Sequence, residues 1–400
     1  LDRYDRMLYK NCQLPNGDRV DIEVKEGIIT KIASSLEAED IKDMQGCIIV
    51  PKIVDLNVRL KDASLSATTI KQCAKEAKDG GVGGVVLQPD STPRIDNEIV
   101  LEFAQNSIKD IDDVEIEIAI DALQEDLSLS NIAILLKKGA IAPRMSTIAK
   151  NNIAIKVAEY VKMYKKTLLC KAEDNSLISQ GVMFEGDVSS KLGLAGIPEL
   201  SEVVHISRMI EIARYYDIAI LFQSVATPRS LDMITKAKKE GVRVRAEVSL
   251  HHLLWSDQAC EDFNTTAKLN PPLVDEELRL KLLLALKEGH IDILTLLHQP
   301  SSPVNKEVAF FDAAYGSSAL ADAWPLYYTM LVQSGVLTLQ ELIELIVNRP
   351  LEILNKEPLK VEVGANIERF LALDLNGSYK VKDSNSLYNG KTLDAKIVEF

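Results

Sequence analysis

The stretch PKIVDLNVRLKDAS, Pro51 to Ser64, decides the fold. Ile53, Val54 and Leu56 form the apolar run of a parallel strand covered on both faces. Asn57, Arg59 and Lys61 follow at alternate positions, so their side chains point the same way. A buried strand running out into a polar, basic tip is how a barrel strand delivers functional groups to its mouth.

The same rhythm continues along the chain. Apolar runs at Ile53–Leu56, Val82–Leu87, Val114–Ile120, Ala140–Ala142, Leu168–Cys170, Ile218–Phe222, Val242–Val248 and Ile291–Leu296 are separated by helical stretches such as IKQCAKEAKDGG and LDMITKAKKEG. Each of those two stretches has a glycine near its end, where helices stop. Eight alternations predict an α/β fold, a (β/α)8 TIM barrel. A doubly wound open sheet would want an early Gly-rich phosphate loop, and the sequence has none.

The flanks read differently. From Leu8 to Cys47 the pattern is short strands with turn signals, Asn16-Gly17 among them. From Ala319 come the helical ALADAWPLYYTMLVQSG and LQELIELIVNRPLEIL, and after Pro358 strand-and-turn sequence returns. Neither end has enough strands to bury a core alone, so both are expected to share a small β-sandwich. The expected division is 1–50 and 356–400 for the sandwich and 51–355 for the barrel.

With 46 basic against 59 acidic residues the net charge is −13, which argues against nucleic acid or an anionic membrane as partner. No run is long enough to span a membrane, and the start, LDRYDRMLYK, carries charges where a signal peptide needs an apolar core. Five cysteines, Cys12, Cys47, Cys73, Cys170 and Cys260, lie far apart with no C-x-x-C pair, so a reducing cytoplasm is expected.

The Pro51–Ser64 stretch resembles the opening motif of the dihydroorotases of the amidohydrolase superfamily, D-x-H-x-H-x-R-x-P-G. Further segments resemble that family in order: EGDVSSKLGLAGIPELSE (Glu185 to Glu202), AEVSLHHLLWSD (Ala246 to Asp257), KLNPPL (Lys268 to Leu273) and the closing SNSLYNGKTL. The resemblance implies a zinc-type metal centre at the barrel mouth that activates water against the ring amide of dihydroorotate, with an aspartate of the last strand moving the proton.

At the positions that match those motifs this chain carries other residues. Asn57 and Arg59 stand for the two first-strand histidines and Lys61 for the arginine, while Asp55 is kept. In GAIAPRMST, Met145 or Ser146 falls at the fourth-strand ligand; KAED puts Lys171 at a histidine, and SVAT puts Ser224 at the next. Leu297 stands where the proton-moving aspartate belongs. A leucine holds neither proton nor metal, and arginine or lysine is a cation where a dication would sit.

The resemblance therefore implies a member without metal or catalytic residues, and such members serve as structural partners of aspartate carbamoyltransferase; self-association is also expected. Residual contacts to a small ligand would come from Lys61, Asp90, Asn270 and His298. Two alternatives stand beside this reading. One is a hydrolase acting on dihydroorotate or another cyclic amide with Lys171, Asp90 and His298 as titratable groups; the other is a small-anion binder using Arg59, Lys61 and Lys171.

Arg59 and Lys171 need partners if buried, and Asp55, Asp90, Glu173 and Asp174 are the available acids. His251 and His252, adjacent in sequence, cannot both face one ion from a strand and read as structural. Cys170 reads as a core cysteine, and His205 and His290 as solvated. LKLLLALKEG and LQELIELIV read as barrel-covering helices, one of which could extend into a subunit interface.

Overall fold

The computed structural model describes residues 6–146 and 149–400. The first barrel strand is Ile53–Val58, the second Val82–Leu87, and the third runs from Glu115–Ile118 into Ile120–Asp121. The fourth is Pro143–Met145, the fifth Thr167–Lys171, the sixth Ala219–Gln223, the seventh Val244–Ser249 and the eighth Ile293–Thr295. Neighbours pair in parallel; the third strand pairs with the second through Glu115–Ile118 and with the fourth through Ile120–Asp121.

Closure between the eighth and first strands is made by Asp55. Its carboxylate accepts from Thr295 Oγ1 at 2.7 Å, Leu296 N at 2.8 Å and Asn57 N at 2.9 Å. The outer helices form where caps and apolar spacing agree. Ser66 caps Ala67–Asp79, whose buried Ile70, Cys73, Ala74 and Ala77 make one inward stripe. Thr227 caps Pro228–Lys239 with proline at its first position, and Asp275 caps Glu276–Lys287 through Leu278 N.

A seven-stranded sheet is built from both ends of the chain: Met7–Gln13, Arg19–Lys25, Ile28–Ala33, Ile41–Asp43 and Ile48–Pro51 from one, Phe370–Asp374 and Lys396–Val398 from the other. Ile48–Pro51 pairs antiparallel with Phe370–Asp374 and leads straight into the first barrel strand. The result is the barrel that the strand–helix rhythm predicted, with the terminal β-sandwich unit expected from the strand-and-turn sequence of both chain ends.

Two expectations need correction. The fourth strand is Pro143–Met145, not Ala140–Ala142, because its pairing with the fifth strand runs through Arg144 and Met145. His205 is not solvated: it is 0% exposed, with Nε2 3.4 Å from Cys170 Sγ. The helix Leu200–Tyr216 buries His205 on the stripe that carries Ile206, Met209 and Ile210. Of the two apolar helices, Glu276–Lys287 covers the barrel with Leu282, Ala285 and Leu286, while Leu280 and Leu284 are about half exposed, at 52% and 54%.

Candidate functional site

The polar tips of the strands meet in the barrel mouth as one bonded cluster. Asn57 Nδ2 donates to Ser224 Oγ at 2.9 Å and to Glu247 Oε1 at 2.6 Å, and Asn57 Oδ1 accepts from Arg59 Nη1 at 2.8 Å. Arg59 Nε then reaches Asp90 Oδ2 at 3.1 Å. The same oxygen takes Arg144 Nη1 at 2.9 Å, and Arg144 Nε donates to Gln223 Oε1 at 2.9 Å. Strands one, two, four, six and seven are tied together by seven side chains.

Burial sets the electrostatics. Asn57, Arg144 and Glu247 are essentially unexposed, at 1%, 0% and 0%, and Arg59 at 9%, so solvent screening is weak. Burial pushes Asp90 up, but Arg144 and Arg59, with Lys171 behind them, outweigh it and hold its carboxyl well below the usual range. Glu247 moves the other way. Burial, reinforced by the nearby Asp55, lifts it to about 8 against the pull of Asn57, Ser224 and Arg59, so it is a neutral acid at pH 7. Asp55 is raised by burial despite its three donors.

A second cluster lies beside the first. Lys171 Nζ pairs with Glu173 Oε1 at 2.9 Å. With its amide turned so that nitrogen faces Glu173 Oε2 at 2.7 Å and oxygen faces Lys171 Nζ at 3.1 Å, Asn270 joins them. Of the four acids available, then, Asp90 takes Arg59 and Glu173 takes Lys171; Asp55 closes the barrel and Asp174 caps the turn at Ser176.

The remaining sequence-chosen positions are dispersed. Ser146 Oγ accepts from Arg144 Nη1 at 2.9 Å, whereas Met145, between them on the strand, alternates away and is 0% exposed among core side chains. Lys61 sits in the turn Lys61–Ala63, outside both clusters. His298 Nδ1 accepts from the backbone N–H of Ala319 and Leu320, both at 3.2 Å. Its Nε2 lies 3.1 Å from Glu76 Oε2.

Leu297 and Ser224 carry left-handed backbone, at φ +46° and +53°. Side chains with a Cβ adopt this region at a cost of about 1–2 kcal/mol. Both sites hold an unusual backbone turn.

The neighbouring histidines part company, as their adjacency requires. His251 Nδ1 meets Tyr388 Oη at 3.0 Å, while His252 bonds Ser249 Oγ at 2.6 Å and Pro271 O at 3.1 Å. Burial holds both neutral, at about 3 and about 4. Cys170 and His205 form no catalytic pair, because burial raises the thiol to about 12 and lowers the imidazole to about 3.

Three members of the mouth cluster escaped sequence reasoning: Arg144, Gln223 and Glu247. The usable signal was charge inside an apolar strand. Arg144 lies between buried Pro143 and Met145, and Glu247 between Ala246 and Val248, where an ionisable group must find a partner.

A metal centre does not fit these residues. The mouth offers an amide at Asn57, guanidiniums at Arg59 and Arg144, an ammonium at Lys171, a hydroxyl at Ser224 and hydrocarbon at Leu297, while of its carboxyl groups Asp90 is taken by the two arginines, Glu173 by Lys171, and Glu247 keeps its proton. Among the described residues, no group of three or more His, Cys, Asp or Glu side chains is arranged to hold a metal ion.

A family model described as dihydro-orotase-like matches residues 46–220. The dihydroorotase of Ruminiclostridium cellulolyticum is 33% identical over 392 residues, 94% of this chain and 91% of that protein. That of Elusimicrobium minutum is 34% identical over 391 residues, 94% and 90% of the two chains. Among solved structures, an L-hydantoinase (dihydropyrimidinase) from Arthrobacter aurescens superposes with a TM-score of 0.84 at 20% identity, covering 99% of this chain and 94% of its own. At that identity the likeness speaks for the fold alone, a TIM barrel with a β-sandwich. With relatives a third identical along nearly its whole length, this chain belongs to the dihydroorotase-like family of the amidohydrolase superfamily.

Proposed function

We propose that this chain is a catalytically silent dihydroorotase homologue of pyrimidine biosynthesis, retained as a structural partner of aspartate carbamoyltransferase. The observation that carries the reading is the Arg59–Asp90–Arg144 cluster. Two guanidiniums share one carboxylate oxygen at 3.1 and 2.9 Å where the family's chemistry would require a dication and its donors. Fixed internal cations replace the charge of a metal without its ability to bind and ionise water.

The groups named for a residual hydrolase are each committed elsewhere. Asp90, held ionised between two arginines, is a poor base. Lys171 is paired with Glu173, and the Nδ1 lone pair of His298 is taken by two backbone N–H groups. A free-anion site is disfavoured for the same reason, since Arg59 and Arg144 share Asp90 and Lys171 pairs with Glu173. Five unpaired, buried cysteines support a reducing, cytoplasmic setting.

The test is light scattering on a size-exclusion run of the protein alone and mixed with aspartate carbamoyltransferase of the same organism. One shared peak of defined larger mass is expected. Separate peaks at micromolar concentrations would overturn the scaffold role.

A further inference from the structure

The loops after the seventh and eighth strands are locked to one another by two buried lysines. Lys306 Nζ donates to Thr265 O at 2.9 Å and Ala314 O at 2.8 Å, and Thr265 Oγ1 returns a bond to Lys306 O at 2.8 Å. Lys268 Nζ donates to Phe311 O and Ala313 O, both at 2.7 Å, and lies over the rings of Phe310 and Tyr315. Two segments that would otherwise be independent loops form one preorganised surface.

That surface points large apolar side chains at solvent. Val304, Val308 and Phe311 are 75%, 44% and 52% exposed, and Phe263, two residues from Thr265, is 50% exposed. Asp262 and Phe263 both hold left-handed backbone, at φ +57° and +59°. Exposed apolar side chains gathered on rigid backbone mark an interaction site.

Charge selects the partner. Along residues 261–264 and 303–312 the exposed ionisable groups are Glu261, Asp262, Glu307 and Asp312; the one base in these spans, Lys306, is turned inward. Lys191 meets Glu261 from outside them at 3.2 Å. Two copies of an acidic rim repel each other, whereas a protein surface bearing apolar anchors among lysines and arginines is complementary to it.

We infer that the face formed by Phe263, Val304, Val308 and Phe311, with its acidic rim, is the docking surface for a basic-rimmed protein partner. The inference rests on the scaffold reading above and takes aspartate carbamoyltransferase as the partner. It requires that enzyme to present a basic surface there.

The experiment is titration of that enzyme from the same organism, by calorimetry, against the full chain and two variants. Phe311→Asp with Val304→Asp should weaken binding at least about 100-fold, the loss expected of central anchors. Glu307→Lys with Asp312→Lys should also weaken it, and should reduce the fall in affinity caused by added sodium chloride. All four side chains are exposed, so both variants should keep the parent's unfolding midpoint; if the first misfolds, the second decides. Unchanged binding by the folded variants overturns the docking face and leaves the scaffold reading standing. No binding by the parent chain overturns both. A homodimer lost in the variants, with binding unchanged, reassigns the face to contact between copies and overturns the partner.

Discussion

Replacing Asp90 by asparagine keeps its shape and removes its charge, leaving Arg59 and Arg144 buried around a neutral amide. Their side chains are 10% and 1% exposed, so neither can turn to water for compensation. Breaking a buried ion pair from one side costs about 3–5 kcal/mol. Asp90 is itself 29% exposed, which places the expected loss near the low end, about 3 kcal/mol. Urea unfolding at pH 7 followed by circular dichroism reads it as a lower midpoint at unchanged slope. The sign with pH follows from the depressed folded value of Asp90: its contribution is present above the unfolded value, near 4, and is lost as pH falls through the folded one. Parent and variant should therefore converge in acid. A variant within about 0.5 kcal/mol of the parent at pH 7 would refute the claim that this cluster holds the mouth together.

Glu247 gives the opposite dependence. Its value, raised from 4.5 to about 8, means the native state keeps a proton that the unfolded chain releases, so this stabilisation is full below pH 4.5 and lost as pH rises toward 8. Glu247→Gln should flatten that decline in a series of unfolding midpoints; an unchanged profile would contradict the neutral acid. All five cysteines are buried, with Cys12, Cys170 and Cys260 raised to about 12, so a colourimetric thiol titration at pH 8 should find less than one reactive thiol natively and five in guanidinium. Rapid labelling of the native protein would mean the core opens easily. Dihydroorotate or carbamoyl aspartate at about 1 mM should leave the thermal midpoint unmoved, because the mouth cations are internally paired. A dose-dependent rise would revive the anion site.

The barrel was legible because its strands announce themselves by burial on both faces, which makes Ile53–Leu56, interrupted only by Asp55, and Val82–Leu87 predominantly apolar runs. The fourth strand was misplaced by three residues for the converse reason. Pro143 and Arg144 are poor strand signals, and what fixes Arg144 there is a tertiary partnership with Asp90 and Gln223. Pairings of Arg59 with Asp90 and Lys171 with Glu173 could be anticipated from the shortage of buried counter-charge. The sharing of Asp90 between two arginines could not, because it depends on the tips of strands two and four, separated by the third strand, converging at the mouth. His205 was misjudged because one polar residue on an amphipathic helix reads as surface until a core partner, here Cys170, is seen beside it.

Steady-state turnover tests the central claim most directly: carbamoyl aspartate and dihydroorotate offered separately to the purified chain, with zinc added and with chelator. A silent homologue gives rates equal to the protein-free blank in both directions, with no response to zinc. Zinc-dependent interconversion above the blank, abolished by chelator, would contradict silence and return the mouth cluster to the status of an active site.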